Sequence, residues 1–180
     1  ITIKFGGAAM GESKLSSSFA KDIELLKQVG ISPVVVHGGG PRIKRMLDRL
    51  KVKSNFVNGL RVTNKETMSI VEMVLSGSIN KEIVMEINKE GGRAIGLSGK
   101  DALLAETKKV NIKKVRSEIE KHFDLGFVGY PKKINNDLLN WFLKTDFIPV
   151  ISPIGFGEKY ETFNINADTM SGSVASSISS

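Results

Sequence analysis

Four short stretches of this chain set charged or amide side chains beside glycines, the combination that backbone-assisted anion chemistry needs. In Lys4-Phe5-Gly6-Gly7-Ala8 a lysine ends a β-rich run and two glycines follow. Glycines at such a turn let backbone N–H groups approach an anion, and the lysine adds a mobile positive charge. A surface lysine beside a tight turn would read the same way. His37-Gly38-Gly39-Gly40-Pro41 repeats the theme: three glycines bare the backbone, and a helix opening at Pro41 offers its positive end. The spacing is neither GxxxxGK[ST] nor GxGxxG, and His37 itself reads as structural. A flexible turn is the bland alternative.

Asn58-Gly59-Leu60-Arg61-Val62-Thr63 carries an arginine, whose planar fork suits a carboxylate. A lone arginine is usually a solvated charge, so Arg61 gains weight only from its company. Asn164-Ile165-Asn166-Ala167-Asp168 stands where a strand gives way to a helix. Alternation puts Asn164 and Asn166 on one face of that strand. Asp168 reads as an N-cap or first-turn acid, or in a kinase as an acid that orients lysines around phosphates.

The elements that must position these groups alternate between strand and helix. Strands are expected at 1–5, 33–37, 93–97, 102–107, 126–130, 149–152 and 162–165. Leu15, Phe19, Ile23 and Leu26 mark a helix that stops at Gly30, and Ile43, Met46, Leu47 and Leu50 mark another. A long helix is expected over 65–89, with Gly77 as a kink, and a shorter one over 135–143. Met170, Val174 and Ile178 form a last helical stripe. This order predicts a mainly parallel sheet with helices on both faces. The 180 residues are read as one domain, 1–180. Both ends look cut, because the chain opens on a strand and stops inside a helix.

Hydrophobic residues make up 41% and charged residues 25%, a balance that supports a packed core rather than disorder. The apolar runs are too short to cross a bilayer, and no signal peptide opens the chain. No cysteine is present, which excludes disulfides and thiolate metal sites and points to the cytoplasm. The net charge of +7 reads first as a lysine-rich solvated surface and second as attraction for anions. Lys21, Lys27, Lys51, Lys65, Lys81 and Lys89 are spread along the chain, so no nucleic-acid stripe emerges.

KFGG, VVVHGGGP, NGLRVT and NINADT occur in this order, and between them stand VEMVLSGSINK (71–81), GLSGKD (96–101) and IPVISPIG (148–155). The succession resembles the acetylglutamate kinases, within the amino-acid kinase family, across essentially the whole chain. NGLRVT and the VEMVLSG–NK helix set it apart from the carbamate, aspartate and uridylate kinases. The resemblance implies a three-layer α/β/α sandwich with a mostly parallel central sheet, truncated at the C-terminal side. It implies transfer of the ATP γ-phosphoryl group to the γ-carboxylate of N-acetyl-L-glutamate, with Mg²⁺ carried mainly by the nucleotide and no metal ligands on the chain.

By position, Lys4 would stabilise the transferring phosphoryl group with help from the backbone of Gly7. Gly39 and Gly40 would contact the carboxylate under attack. Arg61 and Asn164 would hold the amino-acid end, and Asp168 would organise the lysines. The resemblance further implies a homo-oligomer, dimeric or hexameric, with the 65–89 helix as a candidate contact, and a PII signalling protein as a candidate regulator. Two departures stand out. Ala8 replaces an asparagine found in many relatives, and the family's second active-site lysine and adenine site are expected beyond Ser180. The rivals are another amino-acid kinase with a glutamate or aspartate acceptor, and a non-catalytic ligand-binding module.

Overall fold

The computed structural model describes residues 1–6, 13–116 and 119–178. Its centre is a four-stranded, all-parallel sheet in the order β1-β2-β8-β5. These strands are β1 (Thr2–Phe5), β2 (Val34–His37), β5 (Ala94–Ser98) and β8 (Ile148–Ser152). β2 shows why both faces must be covered. Its Val34 and Val36 join one apolar cluster with Leu139, Ile151, Met170 and Val174, while Val35 joins another with Ile23, Ile79 and Ile83. Successive side chains of a strand point to opposite faces, so three consecutive buried valines require helices on each side.

One face carries α1 (Ser13–Gln28), α2 (Gly40–Arg49) and the long helix. The other carries α5 (Asn136–Leu143) and α6 (Ala167–Ile178). The expected three-layer α/β/α architecture is therefore present. All four strands run the same way, so their carboxyl ends meet at one edge, where open parallel sheets bind ligands.

The long helix forms as expected, and around Gly77 its winding changes. α3 (Lys65–Glu72) passes into π-helical turns over Met73–Ile79 and then into α4 (Asn80–Lys89). Asn64 caps its start by accepting a hydrogen bond from the Thr67 N–H at 2.8 Å.

Two expected strands are much longer in the structure. In place of 102–107 and 126–130, β6 (Ala105–Arg116) and β7 (Ile119–Ile134) form an antiparallel hairpin. Apolar alternation is confined to short stretches, Val110 and Ile112 on one arm and Phe123, Leu125 and Phe127 on the other, and the lysines between and beyond them hide the full length of the strands. Residues 102 and 103 are a left-handed turn instead of strand. β9 (Ile154–Phe156) and β10 (Thr162–Ile165) complete this second group, in which β10 pairs in parallel with β7. A small hairpin, β3 (Phe56–Val57) and β4 (Leu60–Arg61), turns on Asn58-Gly59, both at positive φ. That dipeptide is a strong hairpin signal.

Candidate active site

Lys4, Gly39, Gly40, Arg61, Asn164 and Asp168 all line one cleft of about 580 Å³ at the carboxyl edge of the parallel sheet. Gly7, expected to help with phosphate, lies outside the described residues. A separate cavity of about 420 Å³ between α1 and α4 shares none of these six residues. The chemistry-bearing residue types therefore select the first cleft.

Each side chain arrives on a different element. Lys4 lies next to the last residue of β1, and its Nζ lies 2.9 Å from Oδ1 of Asp168 in the first turn of α6. Gly39 caps α2, and Ile43 N–H donates to its carbonyl at 3.0 Å. A Cβ at Gly39 would stand 2.4 Å from Ile79 Cδ1 and 2.7 Å from Leu75 Cδ2, so the loop lies directly against the π-helical turns. Around Gly40 nothing lies within 4 Å of such an atom, which leaves its backbone open to the cleft. Pro41 has no N–H, and among the described residues no group accepts from the N–H groups of Gly39, Gly40 or Arg42.

Arg61 is buried, and its guanidinium sits 4.5 Å above the Phe56 ring. It donates to Ser54 Oγ and, at 3.3 Å, to the Gly40 carbonyl. Burial pushes its pKa below the ordinary value, against the opposing charge of Asp48, yet an arginine stays charged at neutral pH. Among the described residues no carboxylate forms an ion pair with it. A desolvated guanidinium in that state favours an incoming anion.

Thr63 ties Arg61 to Asn164. Thr63 is fully buried, its hydroxyl donates to the Arg61 carbonyl at 2.8 Å, and Asn164 Nδ2 donates to that hydroxyl at 3.4 Å. Its N–H donates to Leu125 and its carbonyl accepts from Phe127, which fastens the small hairpin to β7. Asn164 and Asn166 both line the cleft, but Asn166 lies past the end of β10. It leaves the strand and accepts from the N–H groups of Asp168 (2.9 Å) and Thr169 (3.1 Å), which makes it the cap of α6. Asp168 is therefore a first-turn acid rather than the cap.

Lys44 also lines the cleft and was missed. It stands one helical turn after Gly40, so the two share a face of α2, a spacing readable from the sequence. Lys4, Lys44 and Arg61 against Asp168 leave the cleft net positive, and the starts of α2 and α6 add their partial positive charge. Such a cleft suits a substrate rich in carboxylate and phosphate. Among the described residues no group of three or more His, Asp or Glu could hold a metal.

The chain is 59% identical over 180 residues to an acetylglutamate kinase of Rhodospirillum centenum, covering 99% of this chain and 59% of the relative. It is 58% identical over 177 residues to one of Rhodospirillum rubrum, covering 97% of this chain and 57% of the relative. The chain thus spans less than two thirds of the curated relatives it matches. A solved structure, smu.665 of Streptococcus mutans, superposes with a TM-score of 0.84 at 27% identity, over 99% of this chain and 68% of that one. With the amino acid kinase family model matching residues 1–180, and the family's sandwich and glycine-lined cleft in place, the chain belongs to the amino acid kinase family.

Proposed function

We propose that the full-length protein is an acetylglutamate kinase, which moves the ATP γ-phosphoryl group to the γ-carboxylate of N-acetyl-L-glutamate. The observation that carries this reading is Arg61, a buried guanidinium without a carboxylate partner among the described residues, in the same cleft as the open backbone of Gly40. Relatives named for this activity at 59% and 58% identity support it.

The acceptor carboxyl is already ionised at neutral pH, since a glutamate-type acid has a pKa of about 4.3. No general base is required. A carboxylate oxygen attacks the γ-phosphorus, the bond to the β,γ-bridging oxygen breaks, and ADP leaves an acyl phosphate behind. Two anions must be aligned and their charge neutralised. Arg61 and Asn164 hold the amino-acid end, and the backbone of Gly39 and Gly40 meets the attacking carboxylate. Lys4, steered by Asp168, faces the transferring oxygens. Mg²⁺ would come with the nucleotide and would help neutralise phosphate charge, and on this reading the rest of the ATP site belongs to the part of the longer relatives that this chain does not span.

On the same reading the protein serves arginine biosynthesis in the cytoplasm as a homo-oligomer, dimeric or hexameric, open to control by a PII signalling protein. Among the described residues no helix is long and apolar enough to cross a membrane. The test is an ADP-release assay of the full-length protein with N-acetylglutamate, glutamate and aspartate in turn. Turnover with acetylglutamate alone supports the reading. Preference for a free amino acid would make it another amino-acid kinase.

A further inference from the structure

His37 ends β2 fully buried behind the glycine loop and does not line the cleft. Its hydrogen bonds nevertheless determine what the loop presents. Asn80, where the π-helical turns give way to α4, is also buried. Its Nδ2 lies 2.9 Å from the Val150 carbonyl and 3.4 Å from that of Leu97, and its Oδ1 accepts from Lys81 Nζ at 3.2 Å. Carbonyls only accept, so that nitrogen is the NH₂ group and must act as the donor. The same nitrogen lies 3.2 Å from His37 Nε2, which therefore accepts and carries no proton. A neutral imidazole then holds its proton on Nδ1, which is 2.9 Å from the Gly38 carbonyl. Burial keeps the ring neutral.

The consequence lies on the other side of the peptide. In a planar trans peptide the Gly38 C=O and the Gly39 N–H point in opposite directions. A carbonyl drawn back to the ring turns the Gly39 N–H away from the core, toward the cleft that Gly39 lines. Among the described residues no group accepts a hydrogen bond from that N–H. We propose that His37 and Asn80 are positioning residues which aim the Gly39 N–H at the carboxylate bound in the cleft. The π-helical turns belong to the device, because their wider winding decides where Asn80 points after Ile79.

The class of ligand rests on the kinase reading above, whereas the tautomer does not. The first test is ¹⁵N-histidine NMR of the full-length wild-type protein at neutral pH, with His122→Gln used to separate the His37 signals from those of the other histidine in these 180 residues. Expected is the neutral Nδ1–H form, which is uncommon in free histidine. A proton on Nε2, or on both nitrogens, overturns the proposal.

The second test compares two variants. His37→Asn keeps an amide donor where Nδ1 stood, and His37→Gln keeps a polar atom only where Nε2 stood. With acetylglutamate, His37→Gln should lower kcat/KM for the acceptor by about ten- to a hundredfold, as expected for one lost charge-assisted hydrogen bond, with the KM for ATP little changed. His37→Asn should retain the larger share. Equal losses in both variants would make His37 a packing residue and overturn the proposal. If the wild type phosphorylates no carboxylate acceptor, the kinase reading falls, and the wild-type tautomer alone decides the proposal. That spectrum also decides it if neither variant folds.

Discussion

The Nζ of Lys4, on the first strand, lies 2.9 Å from Oδ1 of Asp168, in the first turn of the last described helix. Both side chains keep solvent contact, at 36% and 72% exposure. An ion pair this open contributes little to stability, on the order of 0–1 kcal/mol. Its value is in direction: the carboxylate and the start of α6 fix where the ammonium stands along the cleft.

On the proposed function, Lys4→Ala in the full-length protein should lower kcat by roughly 10²–10³ while acetylglutamate KM changes much less, the pattern of an interaction made chiefly in the transition state. Asp168→Asn should act in the same direction, and the double variant should lose less than the sum of the two. Steady-state kinetics at saturating ATP measure all three. An unchanged kcat in Lys4→Ala would remove the residue from the chemistry.

Arg61→Lys keeps the charge but gives up the planar fork, the contact to Ser54 and the stacking on Phe56. Acetylglutamate KM should rise about ten- to a hundredfold, the equivalent of about 1.5–3 kcal/mol for a charge-assisted pair. ATP KM should hold. A fall in ATP affinity with acetylglutamate affinity intact would place Arg61 on the nucleotide side instead.

Asn164 and Asn166 should separate cleanly. Asn166→Ala removes the cap of α6 and should cost about 0.5–2 kcal/mol of stability. Asn164→Ala removes one long bond to Thr63 and should leave stability nearly unchanged while raising acetylglutamate KM several-fold. Urea unfolding beside acceptor titrations checks both, and matched stability losses would contradict the assignment.

Acid should weaken the fold through His37. Burial lowers its pKa from 6.5 to about 4, opposed by the Gly38 hydrogen bond and aided by the charge of Lys81. As pH falls below the unfolded value, the unfolded chain takes up the proton first, so stability drops. The loss runs from about pH 6.5 to about pH 4 at up to about 1.4 kcal/mol per unit, about 3 kcal/mol in all. Urea midpoints of wild type and His37→Gln at pH 7 and pH 5 test this. The wild type should lose stability over that interval and the variant clearly less, whereas parallel slopes would place the acid sensitivity elsewhere.

What the sequence by itself determined is local. Three valines, a histidine and three glycines read as a doubly buried strand running into an open turn. The stripes of α1, α2, α3 and α6 follow from helical spacing, because burial of one face writes its period directly into the chain. The motif order led from there to the family, and with it to the sandwich.

The motif order implied that Asp168 serves the lysines, but the contacts between distant residues were decided by tertiary structure. Nothing near Lys4 encodes Asp168, and the pair exists because the sheet brings the first strand beside the start of α6. Asn166 carries the same amide as Asn164, and only the turn into α6 made it a cap. The arms of the β6–β7 hairpin hold each other through backbone hydrogen bonds, so only a short alternation at Phe123, Leu125 and Phe127 marks them in the sequence and their full length is not legible there. His37 was legible as structural, but its proton could be assigned only once Asn80 stood against the Val150 and Leu97 carbonyls. A hydrogen bond depends on direction to within tens of degrees, and direction across a sheet is set by packing rather than by neighbours in the chain.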